Sequence, residues 1–361
     1  MESNQMYSLK EILSKFNIET SIEVYGNGHI NDTYLCETSP RFILQRINTN
    51  VFKDPDAVME NINNVTLHVR EKIKEAGGDP DRETLNVIPT KNGDIYYKHH
   101  DGACFRMYKF IERSVSYDIA ERPEILTYAG QAFGRFQRML SDFPAEKLHE
   151  TIIDFHNTPV RVQQLRDAMA ANLSGKLDSV KDEVDFALEY SKYAGEITDA
   201  MEKGEVLLRV THNDTKLNNV LFDDVTDEGV CVIDLDTVMP GSILYDFGDA
   251  LRFGASSCAE DETDMDKIYF DLEKFEAFAK GFLGEVGQCL TQKEAELLPL
   301  SALLMTYECG IRFLADHING DTYFKIHREN HNLDRARNQF ALVDDIERKL
   351  PEMKKIVSKY I

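Results

Sequence analysis

Along the first third of the chain, apolar and polar residues alternate in short runs. Residues 21–25, 32–38, 41–48, 84–89, 94–98 and 103–111 are rich in β-branched and aromatic side chains and are separated by Gly, Asn, Asp and Pro. That pattern predicts strands joined by turns. One helix precedes them and one interrupts them. A short one is expected over 9–16. A longer one is expected over 54–76, where Val58, Ile62, Val65, Val69, Ile73 and Ala76 recur at spacings of three and four until Gly77-Gly78 ends the pattern.

Beyond about residue 122 the period lengthens. Ile125, Ala129, Phe133, Phe136 and Leu140 make one helical face, and 157–171, 183–201, 273–282, 292–318 and 333–361 continue in helical style. One β-like island breaks this region over 206–238, where the apolar runs 219–222 and 230–233 flank a polar turn at 223–229. No internal repeat or low-complexity segment is visible. A strand-rich first third and a helical remainder carrying one hairpin predict an α+β, two-lobed plan with a boundary near residue 112, giving units 1–112 and 113–361.

Charge narrows the partners. The chain of 361 residues has 41 Lys and Arg against 63 Asp and Glu, a formal charge of −22. A strongly acidic surface argues against nucleic acid and anionic membrane as partners, but not against one small anion held by a local cluster of N–H groups, a Lys and a divalent cation. The first residues lack a signal-peptide pattern, and charges interrupt the apolar runs, so a cytoplasmic location is expected. Six Cys with no CxxC pair read as reduced thiols without a disulfide or zinc role.

The hairpin island carries the chemistry. His212, Asp214 and Asn219 reproduce the H-x-D pattern with an Asn five residues after the Asp, and Asp234 ends the second apolar run 15 residues later. Phosphoryl transfer to a hydroxyl needs a carboxylate that orients and accepts the hydroxyl proton, and oxygen ligands for Mg²⁺. Asp214 suits the first role, Asn219 and Asp234 the second, and Lys216 can reach a transferring phosphate. His212 reads as scaffold. Asp246-Phe247-Gly248 lies 27 residues beyond Asn219 and past a Pro240-Gly241 turn, too far along to be the metal triplet. Asp246 is instead expected to brace the loop, and Asp249 to cap a helix. Earlier in the chain, the run from Tyr25 to Thr33 holds Gly26, Gly28, His29 and Asn31 between two expected strands, where backbone N–H groups can cover phosphates. A plain hairpin turn reads the same way. With no GxxxxGK[ST] present, this is not a P-loop.

Several segments carry a wider resemblance: Gly28-His29-Ile30-Asn31, Ile43-Leu44-Gln45-Arg46, Thr211 through Asn219, Asp234-Leu235-Asp236, Asp246-Phe247-Gly248-Asp249, Arg252-Phe253-Gly254-Ala255-Ser256 and Glu308 through Asp316. Together they resemble the aminoglycoside phosphotransferase family of small-molecule kinases, and within it the branch acting on N-acetylhexosamines. The resemblance covers essentially the whole chain. It implies a two-lobed, protein-kinase-like fold with a β-rich nucleotide-binding N-lobe and a mostly helical catalytic C-lobe. It also implies ATP and Mg²⁺, a sugar acceptor phosphorylated at C1, and a monomer. By the same resemblance Asp214 is the base, Asn219 and Asp234 are metal ligands, and Tyr108, Lys109, Phe110 and Ile111 form the hinge beside adenine. Gly26, Gly28, Asn31 and Thr33 belong to the nucleotide loop, and His29, Phe253, Glu308 and Arg312 line the sugar pocket with Asp214. Glu308 and Arg312, four apart on a helix that is apolar on several faces, are expected to form a buried ion pair. The chain departs from a kinase at Gln45-Arg46, where a phosphate-pairing Lys is usual. The strand register favours Gln45 toward the cleft, and only Glu60 is positioned as a helix partner. Another polyol, an amino alcohol or an aminoglycoside remains open as acceptor, as does a binding module without catalysis.

Overall fold

Side-chain alternation decides what each face of the first sheet does. The computed structural model describes residues 8–26 and 30–361. It begins with α1 (Leu9–Ser14), β1 (Ile22–Val24), β2 (Asp32–Cys36), β3 (Phe42–Ile47), α2 (Pro55–Glu75), β4 (Tyr97–Lys98) and β5 (Cys104–Lys109). The strands form an antiparallel sheet in the order β1-β2-β3-β5-β4. Because successive side chains point to opposite faces, Tyr34, Cys36, Leu44, Phe105 and Met107 gather on one side over Ile12, Leu13 and Phe16 of α1. Ile47, Cys104 and Tyr108 turn to the other side, toward Val58, Met59, Ile62 and Val65 of α2. Pro55 opens that helix, and Asp54 caps it by accepting the Ala57 N–H at 3.0 Å.

The second lobe contains β6 (Ser114–Val115), α3 (Pro123–Met139), α4 (Thr158–Ala171), α5 (Lys181–Tyr190), α6 (Glu196–Glu202), β7 (Arg209–Thr211), β8 (Val220–Asp223), β9 (Gly229–Val232) and β10 (Met239–Gly241). It ends with α7 (Ile243–Gly254), α8 (Leu272–Val286), α9 (Gln292–Asn319) and α10 (His331–Val357). The apolar face of α2 is continuous with the core of this lobe, and Asn61 fastens it there by donating to the carbonyls of Val238 at 2.9 Å and His149 at 2.8 Å. Helices α3 and α8 approach so closely that a Cβ on Gly281 would stand 2.0 Å from the Thr127 carbonyl oxygen.

Some expectations change. Residues 84–89 form no strand beyond one bridge from Val87 to Tyr108, and the expected strand over 94–98 shrinks to Tyr97–Lys98. The expected helix over 183–201 divides into α5 and α6. Helix α7 falls where none was expected. An 18-residue window of α9 does reach a mean hydropathy of 1.3, but 89% of it is buried inside the fold. The six cysteines are free thiols.

Candidate active site

The segment after β7 is held from beneath before any side chain reaches the cleft. Strand β7 pairs with β10, and the chain then enters the 212–219 loop against α7. Asp246 of α7 accepts the N–H groups of His212 at 2.9 Å and Asn213 at 2.8 Å, and Asp249, one turn on, accepts that of Thr215 at 3.0 Å. The Thr215 hydroxyl donates back to the Asp246 carbonyl at 2.7 Å. Burial lifts the Asp246 carboxyl above its ordinary range, against the pull of His212 and the two amides. Burial acts the same way on Asp249, but Arg252, His156 and Lys216 outweigh it and hold that carboxyl below the usual range. The bracing role of Asp246 thus has a geometric basis. Asp249 is not a cap: it lies inside α7, whose N-cap is Ser242.

His212 is fully buried beside Phe133 and Phe136. Its Nε2 lies 2.8 Å from the Ile233 carbonyl, so that nitrogen donates and Nδ1 accepts the Asp214 N–H at 3.2 Å. Both ring nitrogens are therefore occupied in orienting the loop. Asn213 takes a left-handed backbone conformation (φ 65°) and donates its amide to the Thr237 carbonyl at 2.9 Å.

Only half-buried, Asp214 faces the cleft. Its Oδ1 is 2.8 Å from Lys216 Nζ. Asn219 Nδ2 donates to the Asp214 carbonyl at 2.8 Å and approaches its Oδ2 at 3.4 Å. Burial works against the Lys216 charge, but Asp214 overrides it and raises the ammonium above its ordinary value. The ammonium also lies 5.9 Å from the ring centre of Phe253, an exposed aromatic that stacks on Arg252 at 4.3 Å.

Asp234 follows β9 with a left-handed backbone (φ 59°). It is open to solvent, in the crevice it shares with the charges of Asp214, Asp236 and Arg106. Desolvation there, with the charges of Asp236 and Asp214, raises its carboxyl to about 6 against the pull of Arg106 and His212. An amide oxygen and a carboxylate form a hard, all-oxygen donor pair suited to Mg²⁺, which commonly takes one or two protein ligands and completes its shell with phosphate and water. Among the described residues no group of three His, Cys, Asp or Glu side chains converges into a self-sufficient metal site.

Above the crevice, Thr33, Gln45 and Arg106 stand in register across β2, β3 and β5 on one face of the sheet. Gln45 donates to Thr33 Oγ1 at 3.1 Å and accepts from Arg106 Nε at 3.0 Å. Buried Arg106 is ion-paired with buried Asp236, which also accepts Asn31 Nδ2 at 2.6 Å. Burial alone would lower the Arg106 guanidinium, but Asp236 reverses the sign and keeps it firmly charged. The cation on this face is therefore Arg106 on β5, and its partner comes from the second lobe. Arg46 points elsewhere, to Asp32 at 3.4 Å, and Glu60 is exposed and paired with His149 at 2.9 Å. Neither Arg106 nor Asp236 was expected. The signal available was a charge, Arg106, set among the apolar residues 104–108.

At the end of β5 Tyr108 is buried, while the Lys109 side chain turns outward to Asp81 at 2.9 Å. The Lys109 N–H donates to Asn86 at 3.0 Å and the Phe110 N–H to Arg41 at 3.0 Å. The Ile111 carbonyl accepts from Ser114 Oγ at 2.7 Å, whereas its N–H meets no partner among the described residues. Tyr25 sets its ring edge-on to Phe110 at 5.8 Å, and Gly26 follows at φ 73°, a conformation that favours glycine. Gly28 and His29 lie outside the described residues.

The expected ion pair between Glu308 and Arg312 does not close. Glu308 is buried against His156 Nδ1 at 2.9 Å and Thr158 Oγ1 at 2.6 Å. His156 Nε2 lies 3.0 Å from the Asn213 carbonyl, which links Glu308 to the residue before Asp214. Burial opposes both charges, yet the contact between them wins: His156 is raised and Glu308 lowered. Arg312 stacks instead over Phe155 at 5.8 Å and Phe324 at 5.5 Å. His156 and Thr158 went unnoticed in the sequence because they sit in no spaced motif.

Solved structures share this architecture. A microcompartment-associated aminopropanol kinase superposes with a TM-score of 0.63 at 16% identity, covering 96% of this chain and 97% of its own. An aminoglycoside phosphotransferase from Alicyclobacillus acidocaldarius gives 0.65 at 13%, covering 99% and 98%. An ethanolamine kinase from Plasmodium vivax gives 0.52 at 13%, covering 88% and 82%. At these identities the likeness is one of fold. The family model described as the phosphotransferase enzyme family matches residues 21–278, which takes in the sheet, the 212–219 loop, Asp234 and α7. With more than half of its length matched, this chain belongs to the phosphotransferase enzyme family.

Proposed function

We propose that the protein transfers the γ-phosphoryl group of ATP to the anomeric C1 hydroxyl of an N-acetylhexosamine, N-acetylglucosamine or N-acetylgalactosamine, giving the 1-phosphate. The observation that carries the reading is the setting of Asp214. Its loop is pinned by α7 and its carboxylate faces the cleft between Lys216 and Asn219, with Phe253 across from Lys216 and Glu308 tied to the Asn213 carbonyl through His156.

In this mechanism the Asp214 carboxylate orients the C1 hydroxyl and takes its proton as the oxygen attacks the γ-phosphorus and the bond to ADP breaks. Lys216 offsets negative charge on the transferring group. Asn219 already spends its amide nitrogen on Asp214, which leaves its oxygen, with the Asp234 carboxylate, to hold Mg²⁺. When bound, that ion neutralises the phosphate oxygens. The N-lobe, taken to end near residue 112, contributes the Tyr25–Gly26 loop, Asn31, Thr33 and Gln45 over the phosphates. The Tyr108 to Ile111 hinge lies along adenine, with the Ile111 N–H as its donor. Arg106 keeps Asp236 and, through it, Asn31 in register with the crevice. Phe253, Glu308 and Arg312 border the sugar.

An assay of ADP release with N-acetylglucosamine and Mg²⁺-ATP tests the reading. Sugar-dependent ADP formation is expected. ADP release that ignores the sugar would overturn it.

A further inference from the structure

The acceptor side of the cleft is charged against the trend of the molecule. Across the chain, acidic residues exceed basic ones to leave −22. Around the acceptor, each of four carboxylates has a cation: Asp214 has Lys216 at 2.8 Å, Asp249 has Arg252 at 3.2 Å, Glu260 has Arg252 at 2.7 Å and Arg335 at 3.9 Å, and Glu308 has His156 at 2.9 Å. Two guanidiniums are left over. Among the described residues neither Arg161 nor Arg312 forms an ion pair with a carboxylate.

Both guanidiniums converge on Phe155. Arg161, one turn along α4 from Thr158, donates Nη2 to the Phe155 carbonyl at 2.9 Å and Nη1 to Gln164 at 3.0 Å, and its Nε is buried without a partner. Arg312, one turn along α9 from Glu308, lies over the Phe155 ring. Burial first, and then the charge of Arg312, hold Arg161 below its ordinary value against the pull of Glu308 and Asp154. A buried N–H without a partner is costly unless a ligand answers it, and here it belongs to a guanidinium that lies beside a second one.

We infer that Arg161 and Arg312 are the charge filter of the acceptor site, rejecting acceptors that carry a protonated amine and receiving an oxygen-rich, neutral or anionic substituent. The inference deepens the proposed function, on which it rests for the location of the acceptor. For an N-acetylhexosamine the answering group is the amide carbonyl oxygen. Like-charge apposition in such a site costs several kcal/mol, whereas a guanidinium facing a carbonyl or carboxylate gains charge-assisted hydrogen bonds.

The test is a set of kcat/KM values for the full chain, the Arg161→Gln variant and the Arg312→Gln variant. The acceptors are N-acetylglucosamine, glucose, glucuronate, glucosamine, ethanolamine and aminopropanol. At neutral pH the wild type should disfavour the amine-bearing acceptors by about 100-fold or more. The glucosamine penalty should shrink as the pH rises through the titration of its own amine. Arg161→Gln should narrow the ratio of N-acetylglucosamine to glucosamine by about 10-fold, the loss of one like-charge contact, with KM for ATP unchanged. Equal use of glucosamine and N-acetylglucosamine by the wild type, or a penalty that ignores pH, would overturn the inference even if a variant failed to fold. Turnover of glucose or glucuronate without N-acetylglucosamine would instead refute the N-acetylhexosamine reading and uphold the filter.

Discussion

Asp214 is free to work because its neighbours are not. His212, Asn213 and Thr215 have their N–H groups taken by Asp246 and Asp249. Asp214→Asn keeps the shape and removes the proton acceptor, so kcat should fall by about 10²–10⁴-fold while calorimetry still detects sugar binding; near-normal kcat would remove Asp214 from the role. Arg106 is a different case. Arg106→Met strands Asp236 in the interior, and breaking a buried pair from one side costs about 3–5 kcal/mol, readable by urea unfolding. Adding Asp236→Asn should recover part of the loss. The His156–Glu308 pair sets a pH window. His156 is raised above its ordinary 6.5, so its contribution is full below 6.5 and disappears as the pH climbs through the raised value. Glu308 is lowered from 4.5, so its contribution is present above 4.5 and lost as the pH falls through the lowered value. The stability gap between wild type and His156→Gln should therefore be widest near pH 6 and narrow toward pH 9. At this scale the sequence made visible the residues that chemistry spaces, Asp214, Asn219 and Asp234. It hid Arg106, Asp236 and His156, whose partners lie on distant segments and obey no local spacing.

Helix α7 shows why one element escaped a reading by period. Its residues from Ile243 to Arg252 are all buried, and its polar stripe, Asp246, Asp249 and Arg252, is turned inward and not to solvent. The sequence pointed to Asp246 alone as a brace for the loop, whereas Asp249, one turn on and expected to be a cap, holds the loop as well. Gly248 lets this helix lie against α9: a Cβ there would stand 2.4 Å from the Ser301 carbonyl oxygen. Gly248→Ala should cost about 1–3 kcal/mol by overpacking and lower kcat as well, because α7 carries the loop's two anchors. A loss of stability with kcat intact would show that the loop does not depend on the helix position. The strands were legible where β-branched and aromatic residues ran together between turn residues, as in Phe42–Ile47 and Cys104–Lys109. Residues 84–89 imitate a strand in composition but find only one pairing position.

The two-lobed plan followed from the change of period near residue 122, but the division of the core did not. Helix α2 lies between strands in sequence, yet its apolar face joins the core of the second lobe, leaving the far face of the sheet to pack on α1. Only the pairing of the strands decides this, and pairing is long-range information. The charge of −22 gains meaning at the same scale. Asp214, Asp234 and Asp236 bring negative charge into the crevice proposed to receive the triphosphate, so under that proposal chelation of divalent cations should abolish turnover and Mg²⁺ should restore it. The central claim is the position of phosphorylation, and the phosphorus NMR spectrum of the product formed from N-acetylglucosamine and Mg²⁺-ATP reads it directly. The account predicts a phosphate coupled to the anomeric proton and missing with Asp214→Asn; a 6-phosphate, or no sugar phosphate at all, would contradict it.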